Sequence, residues 1–252
     1  MARVQKELCA TVFMACLVFC ATEFQWASAI RDMVVMHSFS VQRAHLLQRA
    51  FFSRDPREVG PELLGKIIVR RERRSLRAGR IVEVEAYLST GDLAAHVAAG
   101  QTARNAVLFG LPGHAYVYFI YGVHYCLNIS CMPKGEAGCV LIRALEPVAG
   151  MDQMITARGF DGVKPVSVSD LRRLTSGPGR LCEALEITRP RDNGKNMVSV
   201  RSDLQVMDDG FLPEKVLVTP RIGITRSADM PLRYCIAQNP FVSKNLTADL
   251  RG

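Results

Sequence analysis

Apolar and acidic positions alternate between Ile81 and Tyr87, which predicts a β-strand with one unusual face. Successive side chains of a strand point to opposite sides, so one face is apolar and the other carries two acids and a tyrosine. The two sets are Val82, Val84 and Ala86, and Glu83, Glu85 and Tyr87. Acids that face bulk water need no explanation. On a covered face, one of them could serve as a general base, because a carboxylate in suitable surroundings takes a proton from water.

The same reading predicts more strands than helices along the rest of the chain. Asp55 and Pro56 predict the N-cap and first position of a helix that ends at Gly65, and helical patterns follow at residues 146–158 and 181–185. The polar stretch 189–213 predicts a surface excursion. We therefore expect a single α+β domain with a curved, mostly antiparallel sheet and helices around it. The other predicted strands are 66–70, 115–121, 125–130, 139–145, 216–218, 221–224 and 232–237.

Charge narrows the range of partners. The 252 residues carry a formal net charge of +8, with a sequence pI near 9.2. Residues 1–32 hold equal numbers of basic and acidic side chains, so the excess lies in the rest of the chain. A basic domain favours a polyanionic partner, such as nucleic acid or an anionic membrane surface, although a basic surface also serves solubility alone.

The first 50 residues predict an extension ahead of a domain at 51–252. Residues 8–22 are almost all apolar, follow Arg3 and Lys6, and precede an Ala-Ser-Ala triplet at 27–29, as in an export signal. This segment is short for a membrane span. It can be a targeting signal, an anchor, or an upstream extension of a domain that starts at Met33 or Met36, and we favour the last.

Cysteine usage points to a reducing compartment. The chain has eight cysteines and no Cys-x-x-Cys pair, which argues against a zinc site, and we expect no metal. Five of the cysteines lie in apolar or strand-like segments, where buried reduced thiols are expected.

Further polar and aromatic residues stand out within the predicted strands. Tyr116, Tyr118 and Tyr121 suit core packing, but clustered tyrosines in a basic protein can also stack on bases. Arg143 interrupts an apolar strand and therefore needs an acidic partner or a place at a site. His96 and Asn128 each fit a structural hydrogen bond as well as a binding role.

Two basic segments are candidate phosphate contacts. One is the arginine-rich segment 70–80, which reads as a turn, and the other is Arg104 with Asn105. Solvated loops have the same composition.

The order of these motifs carries more information than any one of them. The motifs are 82–88 (VEVEAYL), 94–96 (AAH), 101–105 (QTARN), 112–122 (PGHAYVYFIYG), 127–130 (LNIS), 141–147 (LIRALEP) and 174–182 (LTSGPGRLC). Read together, they resemble the alkyladenine (3-methyladenine) DNA glycosylase family, in particular its bacterial members, over about residues 51–243.

The resemblance implies a role for each matching residue. Glu85 would be the general base, and Arg143 would help to hold the attacking water. The residues that would line the pocket for a flipped base are Tyr87, His96, Tyr118 and Asn128. Tyr121 would fill the gap that the base leaves in the helix. Arg104, Asn105 and Arg180 would contact the DNA backbone.

The implied activity is excision of alkylated or deaminated purines from double-stranded DNA. The target bond cannot be reached inside a duplex, so the nucleotide must be flipped out. No lysine stands where a Schiff base would form, so we expect a monofunctional enzyme without lyase activity. We expect no cofactor, no membrane partner, a monomer, and a cytoplasmic location. Residues 97–100 stand where the family is usually more polar or basic, and Ala103 stands where proline is usual before Arg-Asn. We expect these departures to weaken DNA binding.

Two other functions remain open at this point. Glu83 and Glu85 are spaced about 6.5 Å apart along the strand and could form the carboxylate pair of a glycoside hydrolase, which requires Glu83 for activity. The +8 charge and the single tryptophan, Trp26, argue against a sugar site. A non-catalytic module that binds damaged DNA would give Glu85 no task, so it would be unaffected by Glu85→Gln.

Overall fold

Nine strands form one antiparallel sheet in the computed structural model, which describes residues 44–160 and 167–243. The long strands β3 and β6 lie at its centre, because apolar and branched residues dominate both. The strands are β1 His45–Leu46, β2 Ile67–Glu72, β3 Ser75–Tyr87, β4 Ala115–Ile120, β5 His124–Cys131, β6 Gly138–Ala149, β7 Leu204–Asp208, β8 Val216–Thr219 and β9 Arg233–Ile236.

Short helices surround the sheet, as the α+β class requires. In α2 the Asp55 side chain caps the backbone N–H of Arg57 at 2.8 Å, and Pro56 is the first helical residue, as predicted. The helices are α1 Arg49–Phe52, α2 Pro56–Leu63, α3 Met151–Ala157, α4 Val168–Thr175, α5 Pro178–Ala184 and α6 Arg189–Asp192, with a 3₁₀ turn at Ala106–Phe109.

The strand order is β1-β7-β2-β3-β6-β5-β4, and β3 is the strand on which the others are assembled. One edge of β3 pairs with β6 along most of its length. Its other edge pairs first with β2 and then with β9, which in turn pairs with β8. The half of β3 that carries the two acids is therefore enclosed by β6 and β9.

The two faces of the sheet differ in content. One face packs in the main core, with Val82, Val84 and Ala86 of β3 against the helices. The opposite face, here called the site face, carries Glu83, Glu85 and Tyr87 and is covered by a smaller apolar cluster that includes residues from the 88–113 connection. The predicted alternation is confirmed, but neither face of β3 is open to water there, because both acids are fully buried.

Three parts of the predicted secondary structure are wrong. Strand β6 continues through residues 146–149, so the helix begins only at Met151. The polar stretch 189–213 contains β7, which pairs with both β1 and β2 inside the sheet. Residues 221–224 form no strand but belong to the loop between β8 and β9.

The arginine-rich segment 70–80 is a hairpin, and phosphate contact stays a prediction only for Arg73 and Arg74, which are exposed at its turn. It forms most of the β2–β3 hairpin, and Arg70, Arg77 and Arg80 are buried. Arg70 pairs with Asp192 at 2.8 Å and with Asp203 at 3.1 Å, and Arg80 pairs with Asp209 at 2.8 Å. A buried charge needs such a partner, because removing it from water is otherwise very costly.

Some sequence predictions fall outside the described residues, namely the apolar segment 8–22, the candidate start sites and three cysteines. In the part of the chain that the structure describes, no helix has the length and apolar character needed to cross a bilayer. The five cysteines in that part are buried and unpaired, as predicted.

We predict that Asp192→Asn destabilises the fold by about 3–5 kcal/mol, because it leaves the Arg70 guanidinium buried without its full counter-charge. Arg70 and Asp192 are both completely shielded from solvent. Urea unfolding at neutral pH measures this cost.

The matched control is Glu62→Gln, which removes the same charge from the exposed pair of Arg54 and Glu62. Surface pairs contribute about 0–1 kcal/mol, so we expect little change. Equal losses in the two variants would contradict the role given to burial.

Candidate active site

Strand register brings residues far apart in sequence into one row on the site face. Glu85 on β3 lies opposite Leu141 on β6, which lies opposite Asn128 on β5, which lies opposite Tyr116 on β4. Neighbouring strands are about 4.8 Å apart, so Glu85 and Asn128 are separated by about 10 Å across the sheet. The next row places Tyr87 beside Cys139.

A pair of register shifts aims Arg143 at the two acids. Glu83 lies opposite Ala144 and Val84 lies opposite Ile142, so the ladder skips Arg143. Bulges of this kind redirect a side chain and are frequent next to active sites. Arg143 donates from Nε to Glu83 Oε1 at 2.9 Å, and its Nη1 lies 3.1 Å from Glu85 Oε1.

The two glutamates differ in how fully they are engaged. Glu83 accepts from Nε of Arg143 and of Arg233, and from both the backbone N–H and the hydroxyl of Ser243. Glu85 accepts from the Tyr87 hydroxyl at 2.9 Å and from the backbone N–H of Ile222 at 2.8 Å, in addition to its contact with Arg143. Glu83 thus connects several parts of the fold, whereas Glu85 is hydrogen-bonded to the Tyr87 hydroxyl.

Burial and charge set the protonation of this cluster. Burial raises the pKa of Glu83, but Arg143, Arg233 and the hydrogen bonds from Ser243 outweigh it and leave the pKa lowered. Burial and the neighbouring Glu85 raise the pKa of the Tyr87 hydroxyl, so Tyr87 remains a donor. Burial lowers the pKa of Arg143, but the two glutamates reverse this and raise it.

A cavity opens on the site face beside Tyr87. Its lining contains Tyr87, His96, Tyr118 and Asn128, which are the four residues predicted to form a base pocket, together with Cys139. They border a small cavity of about 20 Å³ that is partly open to solvent. A small concave site with aromatic walls and a few polar groups is typical of a binding pocket for a flat ligand.

Aromatic contacts fix one wall of the cavity. The His96 ring meets Tyr118 edge-on, with ring centroids 4.5 Å apart, and His96 Nδ1 shares a hydrogen bond of 2.9 Å with the Tyr116 hydroxyl. Partial burial of the imidazole lowers the pKa of His96, and the positive charge of Arg104 lowers it further. The neutral imidazole is therefore favoured at neutral pH.

The opposite end of the cavity is held by Asn128. Its Nδ2 donates to the backbone carbonyl of Tyr116 at 3.2 Å, and its Oδ1 lies 3.7 Å from the Cys139 thiol. A carbonyl can only accept, so this contact fixes which end of the amide faces Cys139. Burial raises the pKa of Cys139 to about 12, so the group remains a thiol.

Tyr121 stands at the exposed tip of the β4–β5 hairpin. It is 83% exposed, has a positive φ of 54°, and precedes Gly122, whose φ is 70°. Positive φ is unusual for a bulky residue and often marks a functional site. The hairpin thus carries Tyr118 into the cavity and Tyr121 out into solvent.

The three predicted backbone contacts have different environments. Arg104 is exposed and lies 5.9 Å from the centre of the Tyr118 ring, and Arg180 is exposed on α5. The prediction that the Asn105 side chain contacts the DNA backbone is corrected, because this side chain is buried. Its amide donates to the carbonyls of His96 and Gly100 at 2.8 and 2.9 Å, so it shapes the loop beside the cavity.

Sequence reasoning missed several residues that complete the site. Tyr116 was expected on the face of Tyr118 but not as the partner of His96. Nothing in the sequence indicated that Asp92 forms an ion pair with Arg221, since the two residues are 129 positions apart. Within residues 44–160 and 167–243, no cluster of histidine, cysteine and acidic side chains is arranged to hold a metal ion.

Comparison with known proteins identifies related sequences. The family model for Methylpurine-DNA glycosylase matches residues 50–240. Similar proteins include one from Koribacter versatilis that is 64% identical over 197 residues, covering 78% of this chain and 92% of the relative. Proteins from Burkholderia orbicola and Methanoculleus marisnigri are each 46% identical over 79% of this chain, covering 91% and 98% of their own lengths. All three bear names of candidate 3-methyladenine DNA glycosylases.

We predict that His96 titrates below its ordinary pKa of 6.5 and that Arg104→Ala raises this pKa without restoring it fully. Removing the guanidinium takes away one of the two causes of the lowered pKa, while the other, the partial burial of the ring, remains. NMR titration of the imidazole measures both values. Arg201→Ala, which removes an exposed arginine from another loop, should leave the titration unchanged. An equal rise in both variants would contradict the local role of Arg104.

Proposed function

Because this chain belongs to the methylpurine-DNA glycosylase family, we propose that it removes alkylated or deaminated purines of the 3-methyladenine type from duplex DNA by base flipping and hydrolysis. The observation that carries this proposal is the aromatic cavity placed directly beside a buried carboxylate. Tyr87 belongs to both, since it lines the cavity and donates to Glu85.

The exposed hairpin supports the flipping step. A side chain that enters the base stack can fill the space of an extruded nucleotide, and Tyr121 is a large exposed aromatic at a turn tip. Unstacking costs less for a damaged or poorly paired base, which by itself favours lesions. Tyr118 is on the same hairpin, so the wedge and one pocket wall belong to one structural element.

Hydrolysis would use Glu85 and Arg143, which are linked to the cavity through the Tyr87 hydroxyl. In the proposed reaction, a water oxygen bonds to the sugar carbon C1′ while the bond from C1′ to the base nitrogen breaks and its electrons leave with the base. Glu85 takes the proton of the water, and its negative charge stabilises the oxocarbenium character of the sugar. Arg143, whose Nη1 lies 3.1 Å from Glu85 Oε1, would orient the water. A cationic alkylated purine leaves readily and is also attracted to tyrosine faces.

The reaction would end at an abasic site without strand cleavage. No lysine is among the described residues that line the cavity, so a Schiff base with the sugar has no donor there. We further propose that the protein acts on double-stranded DNA as a monomer in the cytoplasm, in keeping with its five buried, unpaired cysteines.

The contacts of Glu83 argue against a glycoside hydrolase with a pair of carboxylates. Two arginines and Ser243 donate four hydrogen bonds to Glu83, and none of these donors lines the cavity. In contrast, Tyr87, which donates to Glu85, does line it. A damage-binding module without catalysis differs from the proposed enzyme in one respect only, which is whether Glu85 is needed.

We predict that Glu85→Gln slows base release by about 10²–10⁴-fold, the usual contribution of a general base, and leaves lesion binding intact. Duplex DNA with one hypoxanthine or one ethenoadenine, and methylated DNA, are incubated with each protein. Alkali then reveals abasic sites. Omitting the alkali should leave the strands whole, as expected without lyase activity.

The control is Glu58→Gln, which removes an exposed acid on α2 and should behave as the unmodified protein. Release by both variants at the rate of the unmodified protein would overturn the role of Glu85. Tight lesion binding without release by any of them would establish the non-catalytic module instead.

We predict that Tyr121→Ala weakens binding to lesion-containing duplex by about 1–3 kcal/mol, the range for losing one stacked aromatic. Tyr121→Trp should retain most of the affinity. Binding is measured by fluorescence anisotropy with Glu85→Gln as background. Val200→Ala, at another highly exposed apolar position, is the control. A loss no larger than that of the control would argue against a wedge.

A further inference from the structure

A buried ion pair joins two loops that border the site. Arg221, in the loop between β8 and β9, donates to both oxygens of Asp92, with distances of 2.6 and 2.7 Å. Both side chains are fully buried. A two-pronged contact of this kind fixes orientation as well as distance, since the guanidinium is planar and rigid.

Asp92 organises the loop that leads to the cavity. Its carboxylate accepts from the backbone N–H groups of Leu88 and Ala94, each at 3.1 Å. His96 follows two residues after Ala94. One carboxylate therefore ties the start of this loop to the segment that supplies a cavity wall.

Arg221 ties the second loop to the carboxylate of Glu85. The next residue, Ile222, donates its backbone N–H to Glu85 Oε1 at 2.8 Å. Arg221 also donates to the carbonyl of Ala86 at 2.9 Å, and its guanidinium lies over the Tyr87 ring, 4.6 Å from the centroid. The arginine thus contacts Tyr87 and Ala86, the residue that lies between Tyr87 and Glu85.

We propose that Arg221, clamped by Asp92, is a positioning residue that sets the Ile222 amide and the Tyr87 ring against Glu85. This rests on the proposed function only for its effect on catalysis. Arg221 touches neither the substrate nor the water in this account. It acts by limiting how the Glu85 carboxylate can turn.

The chain contains a matched control for this arrangement. Arg80 is also buried and also grips an aspartate with two prongs, Asp209 at 2.8 and 3.0 Å. It too donates to a backbone carbonyl, that of Gly65, and lies over an aromatic ring, that of Phe211, at 4.4 Å. Arg80 precedes Glu85 by five residues on β3, which is about 16 Å along the strand.

The experiment compares Arg221→Lys with Arg80→Lys. Lysine keeps the charge but cannot reproduce the two-pronged contact. Both variants should lose similar thermal stability. Only Arg221→Lys should slow single-turnover base release, by roughly 10- to 100-fold, since small misplacements near a reacting group have effects of this size. Binding to duplex with a non-cleavable abasic analogue should be unchanged in both.

A second readout is independent of activity. Hydrogen exchange of the Ile222 amide, followed by NMR, should be faster in Arg221→Lys than in Arg80→Lys or the unmodified protein. Equal exchange in all three, or equal rates of release in the two variants, would overturn the proposal. If the unmodified protein released no base, the proposed function would be wrong, and the exchange measurement would still decide whether Arg221 holds this loop.

Discussion

Two carboxylates buried on one strand face repel each other, and the rest of the site depends on how this repulsion is relieved. Glu83 and Glu85 share Arg143, which a bulge in β6 frees from the ladder, and Arg233 adds a second cation to Glu83. Removing either cation would leave buried negative charge without compensation, which is among the costliest defects in a protein. The bulge in β6 and the pairing of β9 with β3 therefore serve the same end, because each brings an arginine to this pair of buried carboxylates.

The pleat of the sheet places the residues of the main core and the residues of the cavity on opposite faces. Residues at alternate positions of β3–β6 either enter the main core or face the cavity, so Val117 and Tyr118 are neighbours in sequence with different tasks. Sliding a strand by one residue would exchange the two faces. The large core behind the sheet thus fixes the register, and the register fixes the distance between Glu85 and the cavity wall.

The sequence predicts the fold best where local pattern and tertiary pairing agree. Alternation along β3 and the Asp-Pro start of α2 are local signals, and both are confirmed. Strand β7 is inside a polar stretch and exists because β1 and β2 pair with it. Asp92 and Arg221 gave no signal, since each is unremarkable without a partner 129 positions away. Motif order located the cavity residues, but it could not show that two arginines and Ser243 donate to Glu83.

Burial also changes what the net charge means. Arg70, Arg80, Arg143, Arg221 and Arg233 lie inside the fold against aspartate or glutamate, so these pairs contribute no net field outside. The excess of +8 must therefore be carried by other groups. Long-range attraction to a polyanion depends on this surface excess, not on the total number of arginines. Arg104 is exposed beside the Tyr118 ring, and Arg73 and Arg74 are exposed at the turn of the β2–β3 hairpin, whereas Arg70, Arg77 and Arg80 of that hairpin are buried and serve the fold.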